Sequence, residues 1–156
     1  MSSYTCTSRF AQAKQRFRPQ KTNVQDYGDW LNSLEWDYYC TFTTDYTLSL
    51  PSARRAMERL LGRLIKEFGT VNYFWVAEPF DTKEGCHTHA LLKVPSLLSD
   101  LAAPTIERKW HQVTKVKKTR GKHKTHVIPY IKGKGGHYYL GKYLGRHNSD
   151  HDFSFS

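Results

Sequence analysis

Three observations predict an α+β domain in which an antiparallel sheet carries helices on its faces. Residues 36–44 alternate between two faces in strand fashion. Residues 51–68 carry an apolar stripe at helical spacing. The segments then follow one another as strand, helix, strand, strand, helix, strand, helix, an order close to the split βαβ plan. No internal repeat or domain boundary interrupts it.

Taken in order, residues 1–25 are polar, basic and aperiodic, and are expected to form a loosely ordered arm. Residues 29–34 suit a helical turn. In the first strand Trp36, Tyr38, Cys40 and Phe42 share one face, whereas Tyr39, Thr41 and Thr43 place hydroxyls on the other, where they could contact phosphates or bases. Pro51 then opens a helix. Ala53, Ala56, Met57, Leu60, Leu61, Leu64, Ile65 and Phe68 form its apolar stripe, and Gly69 is a natural stop. Arg54, Arg55, Arg59, Arg63 and Lys66 fall on its outer face, where solvation is the ordinary role and phosphate tracking the lesser one. Residues 73–78 have strand composition and 79–85 are rich in turn residues, so a hairpin back onto a strand through 88–94 is expected. Residues 96–112 read as helical with an interruption at Pro104, and 113–125 as a basic loop. Residues 126–131 form a short strand, placed at an edge because Pro129 has no N–H to donate. A Gly/Lys connection at 133–136 leads to a last helix over 137–146, and 149–156 reads as a tail.

The totals narrow the classes of function. A chain of 156 residues with 38% hydrophobic and 24% charged residues suits one globular core. No apolar run approaches the ~20 residues of a membrane-spanning helix, and no secretory leader pattern is present, so no membrane partner is expected. Cys6, Cys40 and Cys86 are odd in number and scattered, as expected of free thiols in a reducing, intracellular compartment. The net charge of +10 is concentrated: residues 108–134 hold ten Lys/Arg and no Asp or Glu, and the rest of the chain is neutral. Such a cluster is the electrostatic footprint of a polyanion. Lys115, Lys117, Lys118, Arg120, Lys122 and Lys124 are its core and the candidate nucleic-acid contacts.

The candidate metal site lies on the hairpin. His87 and His89 are two apart on a strand, so they project from one face roughly 6.5–7 Å apart along it. Thr88, Ala90, Leu92 and Val94 point the other way, toward a helix. Two imidazoles need a further ligand. Glu78, the last residue before the turn, lies near His87 once the hairpin closes.

The last helix supplies a second constellation. Tyr139 and Tyr143 share a face at i, i+4, with Lys142 beside them. Gly141 and Gly145 inside a helix cost up to ~1 kcal/mol each relative to alanine, which points to close packing that would fix the tyrosines rigidly. Residues 136–142 also satisfy G-x-x-x-x-G-K. Tyr143 nevertheless stands where a phosphate-binding loop needs Ser or Thr, and the stretch before it is no buried strand, so nucleotide hydrolysis is excluded. A phenolate is a competent nucleophile toward a phosphodiester when a metal and a lysine share the developing charge.

In this order the motifs resemble those of the HUH endonucleases, and within them the nuclease domain of rolling-circle replication initiators. Tyr39-Cys40-Thr41-Phe42-Thr43-Thr44 resembles the origin-contacting motif. Cys86-His87-Thr88-His89-Ala90-Leu91-Leu92 resembles the metal-binding motif, with Thr88 where a bulkier apolar residue is usual. Tyr139-Leu140-Gly141-Lys142-Tyr143 resembles the catalytic motif. The similarity spans about residues 36–146 and implies a five-stranded antiparallel sheet, with residues 26–148 as a single nuclease domain. It implies that Glu78, His87 and His89 hold Mn²⁺ or Mg²⁺, that Tyr139 attacks a phosphate of single-stranded origin DNA, and that Lys142 stabilises the phosphate charge. The products would be a 5′-phosphotyrosine and a 3′-OH able to prime synthesis, and the reverse reaction would rejoin strands. Tyr139 alone, Tyr139 with Tyr143, and Tyr143 alone remain three assignments of the nucleophile. The resemblance implies a stem-loop origin, a separate helicase and a host polymerase as partners. The setting would be a prokaryotic cytoplasm, or a nucleus for a eukaryotic virus. The alternatives are a single-tyrosine, single-strand transposase of the same superfamily and a non-catalytic DNA-binding regulator.

Overall fold

The computed structural model describes residues 24–116, 125–133 and 149–155. Its elements are α1 (Val24–Asn32), β1 (Tyr38–Phe42), α2 (Leu50–Phe68), β2 (Asn72–Pro79), β3 (Cys86–Lys93), α3 (Ala102–Thr114), β4 (His126–Pro129) and β5 (Asp150–Ser154). The five strands form one antiparallel sheet in the order β4-β1-β3-β2-β5. Because β3 pairs antiparallel with both β1 and β2, those two run parallel with β3 between them, and α2 connects them. That is the split βαβ arrangement expected from the sequence.

Helices α2 and α3 have local causes. The Ser49 hydroxyl caps α2 by accepting from the Ser52 N–H, Pro51 sits in the first turn, and Gly69 ends the helix at φ 89° with its N–H on the Ile65 carbonyl. Six of the expected stripe residues, Ala53 to Leu64, are buried, but Ile65 is exposed, so the stripe is narrower than the periodicity suggests. Helix α3 begins only at Ala102. Pro104 thus falls in its first turn, where no intrahelical N–H bond is lost, and it starts the helix rather than interrupting it.

Helices α2 and α3 cover one face of the sheet, over Tyr38, Cys40, Phe42, Trp75, Ala77, Ala90, Leu92 and Val94. Trp110 of α3 stacks on Phe42 at 4.8 Å, and its indole N–H donates to the Thr43 carbonyl. On the opposite face Leu31 of α1 packs with Trp36, Phe74, Val76 and Leu91. Trp36 is therefore not on the face of Tyr38 and Cys40: it precedes β1, outside the alternation, and donates to the Leu31 carbonyl.

Two further expectations are corrected at the C-terminus. Residues 149–156, read as a tail, contain strand β5, which pairs with β2 from Tyr73↔Ser154 to Ala77↔Asp150. Its sequence, Asp-His-Asp-Phe-Ser, has no β-branched residue, so local preference does not announce it. Tertiary contacts hold it instead. Phe153 and Phe155 pack with Trp30, and Arg54 grips Asp150. Arg54 consequently does not serve only solvation: its Nε and Nη2 donate to the two Asp150 carboxylate oxygens at 2.7 and 2.6 Å, and its guanidinium lies 5.2 Å over the Trp75 ring. Helix α1 starts at Val24, so structure also begins slightly before the end of the expected arm at 25.

Candidate metal centre

Sheet register brings the site together. In the β2–β3 hairpin Glu78 lies directly opposite His87, and Val76 opposite His89. The alternation that buries Thr88, Ala90 and Leu92 against α2 and α3 turns His87, His89 and Leu91 to the other face. The turn between the strands is set by Gly85 at φ 100°, with the Phe80 N–H on the Gly85 carbonyl. A Cβ on Gly85 would come within 3.1 Å of the Thr47 side chain, so both conformation and space favour glycine.

The resulting triad is tight. Ligand atoms of Glu78, His87 and His89 all lie within 4.8 Å of one another. Glu78 Oε2 is 3.2 Å from His87 Nε2 and 4.0 Å from His89 Nε2, and the two imidazoles stand nearly perpendicular, 4.6 Å apart. Ligands about 2.0–2.2 Å from a common ion are separated by roughly 3–4 Å, so the two Glu78–histidine spacings are in the range of a group that could hold one cation. Two neutral imidazoles and one carboxylate suit Mn²⁺ and Zn²⁺, and Mg²⁺ less well because it prefers oxygen. Glu78 and His89 are buried and His87 partly so. Burial holds the His87 pKa below the ordinary imidazole value; Glu78 opposes the shift without overcoming it, and Lys83 reinforces it. His87 is thus kept neutral at pH 7, the state in which it can ligate.

Neighbouring side chains fix each ring. Phe80 faces His87 at 4.9 Å, and Lys83 Nζ lies 4.3 Å from the centre of the Phe80 ring. Thr41, directly opposite His89 in the β1–β3 ladder, has its hydroxyl 3.3 Å from His89 Nδ1, and the Tyr39 hydroxyl is 3.4 Å from the same atom. Both histidines open into a cleft of about 520 Å³, lined also by Thr41, Thr43, Tyr46, Phe80 and Lys83. The Cys86 thiol takes no part in the triad: it donates to the Leu48 carbonyl, and burial pushes its pKa up to about 11.

Of the residues expected from the sequence, Glu78, His87 and His89 converge, Thr41 touches the triad and Thr43 lines the cleft. Lys115 is exposed at the left-handed end of α3, at φ 56°. Thr114, just before it, accepts from Tyr46 of the cleft wall, and Thr125 accepts from the Thr43 N–H. Thr114 and Thr125, which lie at the two sides of the basic loop, thus each hydrogen-bond a residue of the cleft wall. Lys117, Lys118, Arg120, Lys122, Lys124, Tyr139, Lys142 and Tyr143 lie outside the described residues. Phe80 and Lys83 were not expected from the sequence; the only signal was an aromatic and a cation within an otherwise small, polar turn. No protein-family model matches the chain, and no curated protein matches it.

Proposed function

We propose that this chain nicks and rejoins single-stranded DNA through a covalent tyrosine intermediate, as a rolling-circle replication initiator does. The carrying observation is the Glu78–His87–His89 triad: three ligand groups within 4.8 Å of one another, beside a cleft whose wall residues Tyr46 and Thr43 hydrogen-bond Thr114 and Thr125 at the two sides of the basic loop.

A divalent cation held there, Mn²⁺ or Mg²⁺, would supply Lewis-acid polarisation of the scissile phosphate. The chain's own residues do the rest. The Tyr139 phenolate oxygen bonds to phosphorus and the P–O3′ bond breaks; the phenolic proton is released to solvent and the 3′ oxygen leaves as a hydroxyl after protonation. Lys142 balances negative charge on the phosphoryl oxygens. Reversal, with a 3′-OH attacking the phosphotyrosine, rejoins strands. Tethering supports the reach required. Asp150 pairs with Ala77, the neighbour of Glu78, and Tyr139 precedes Asp150 by eleven residues, at most about 40 Å of chain. A carboxylate ligand on the strand before the histidine pair favours the initiator over the transposase reading.

The test is incubation of the chain with end-labelled single-stranded oligonucleotides and Mn²⁺, followed by mass spectrometry of tyrosine-linked DNA. The expected result is an adduct on Tyr139 that Tyr139→Phe abolishes. An adduct on Tyr143 in that variant would make the chain a two-tyrosine enzyme. Absence of any adduct across a library of oligonucleotide sequences, hairpins included, would refute the proposal.

A further inference from the structure

Two hydroxyls converge on the His89 nitrogen that faces away from Glu78, and we propose that Thr41 and Tyr39 are positioning residues that lock His89 in the tautomer able to bind metal through Nε2. The inference rests on the metal-centre reading and is independent of strand nicking.

Strand register creates the contact. Thr41 is the direct cross-strand neighbour of His89, and Tyr39, paired with Leu91, is its diagonal neighbour. Direct pairs bring Cβ atoms within about 4.5–5.5 Å, and diagonal ones within about 7–8 Å, a gap that a tyrosine spans. The two hydroxyl oxygens end 3.3 and 3.4 Å from Nδ1, while Nε2, on the other side of the ring, faces Glu78 Oε2 at 4.0 Å.

Proton accounting follows. A neutral imidazole carries one N–H. If Nε2 is to offer its lone pair to a cation, the proton must sit on Nδ1, and an N–H there needs an acceptor because His89 is buried. Thr41 and Tyr39 each accept through oxygen while keeping their own protons free to donate elsewhere. A cation held on Nε2 would withdraw electron density from the ring and make Nδ1–H a stronger donor to Thr41 and Tyr39. His87 is supported differently, by the Phe80 ring and Glu78.

The test uses the full chain, with Thr41→Val, which keeps shape and removes the hydroxyl, Tyr39→Phe, their combination, and Thr41→Ser. Long-range ¹H–¹⁵N spectra of the imidazoles in metal-free protein should show His89 protonated on Nδ1 in wild type and Thr41→Ser, and shifted to Nε2 in the double variant. Mn²⁺ titration should show a 10–100-fold weaker dissociation constant for the double variant, with Thr41→Ser close to wild type. If the double variant folds poorly, the Thr41→Val and Thr41→Ser pair gives the same comparison. Wild-type His89 protonated on Nε2, or variants with unchanged tautomer and Mn²⁺ affinity, would overturn the inference. A wild-type chain that binds no Mn²⁺ would instead remove the metal centre, and the tautomer spectra would still decide what the hydroxyls do.

Discussion

Replacing Arg54 by methionine tests whether a single cation pins the last strand to the sheet. Methionine keeps most of the apolar stem and removes the guanidinium, which lies 5.2 Å over the Trp75 ring. What is lost is a bidentate grip on Asp150, a 3.1 Å bond to the His151 carbonyl, a 3.4 Å contact with Glu58 and a looser approach to Asp152 at 3.8 Å. In isolation a hydrogen bond to a charged group is worth about 1.5–3 kcal/mol. Arg54 and Asp150 side chains retain 34% and 29% of their exposure, so solvent screening reduces the pair toward the lower end. The cation–π contact adds about 0.5–1 kcal/mol. The sum is a destabilisation of about 2–3 kcal/mol, which for a domain of this size lowers Tm by roughly 6–9 °C. Urea melts should show a lower midpoint at constant slope, and hydrogen exchange should show β5 amides losing protection before those of β3. A double-mutant cycle with Asp150→Asn isolates the pair. If Arg54→Met changes stability by less than about 0.5 kcal/mol and the cycle gives no coupling, the clamp assigned to Arg54 is wrong.

Three further outcomes follow from the same structure. Glu78→Gln keeps shape but removes the charged ligand between two imidazoles; sharing ~10–16 kcal/mol over four ligands of a structural zinc site suggests about 2.5–4 kcal/mol per ligand, hence a roughly 10²–10³-fold loss of metal affinity by calorimetry. For pH, burial sets the His87 pKa below the unperturbed 6.5, so in metal-free protein the neutral ring contributes stability that is complete above 6.5 and declines as pH falls from there to the depressed value. Metal binding should likewise persist below pH 6.5 and fail only as His87 protonates; loss of Mn²⁺ affinity already at pH 7 would contradict the burial argument. Neutralising Lys115, Lys117, Lys118 and Arg120 together should flatten the salt dependence of single-stranded DNA binding by about 3 in log–log slope, and an unchanged slope would clear these residues of phosphate contact.

The positions of the three candidate ligands were legible because a strand has only two faces. With a strand through 88–94 and a turn over 79–85, His87 at the strand's start and His89 share a face and Glu78 lies near His87. The helix over 51–68 was equally legible, since Pro51, the apolar stripe and Gly69 are local signals. Local signals failed wherever a distant contact decided the outcome. Pro104 reads as an interruption until the helix start is known, and Trp36 reads as part of β1 until its indole is seen bonding Leu31.

Sequence by itself determined the α+β class, the hairpin, the edge placement of the short strand expected over 126–131 and the concentration of positive charge, because periodicity, turn chemistry and composition act over a few residues. Only tertiary structure decided that Asp150–Ser154 is a strand and that Thr41 and Tyr39 hold His89. Both depend on register between segments tens of residues apart in the chain, which no short-range pattern encodes.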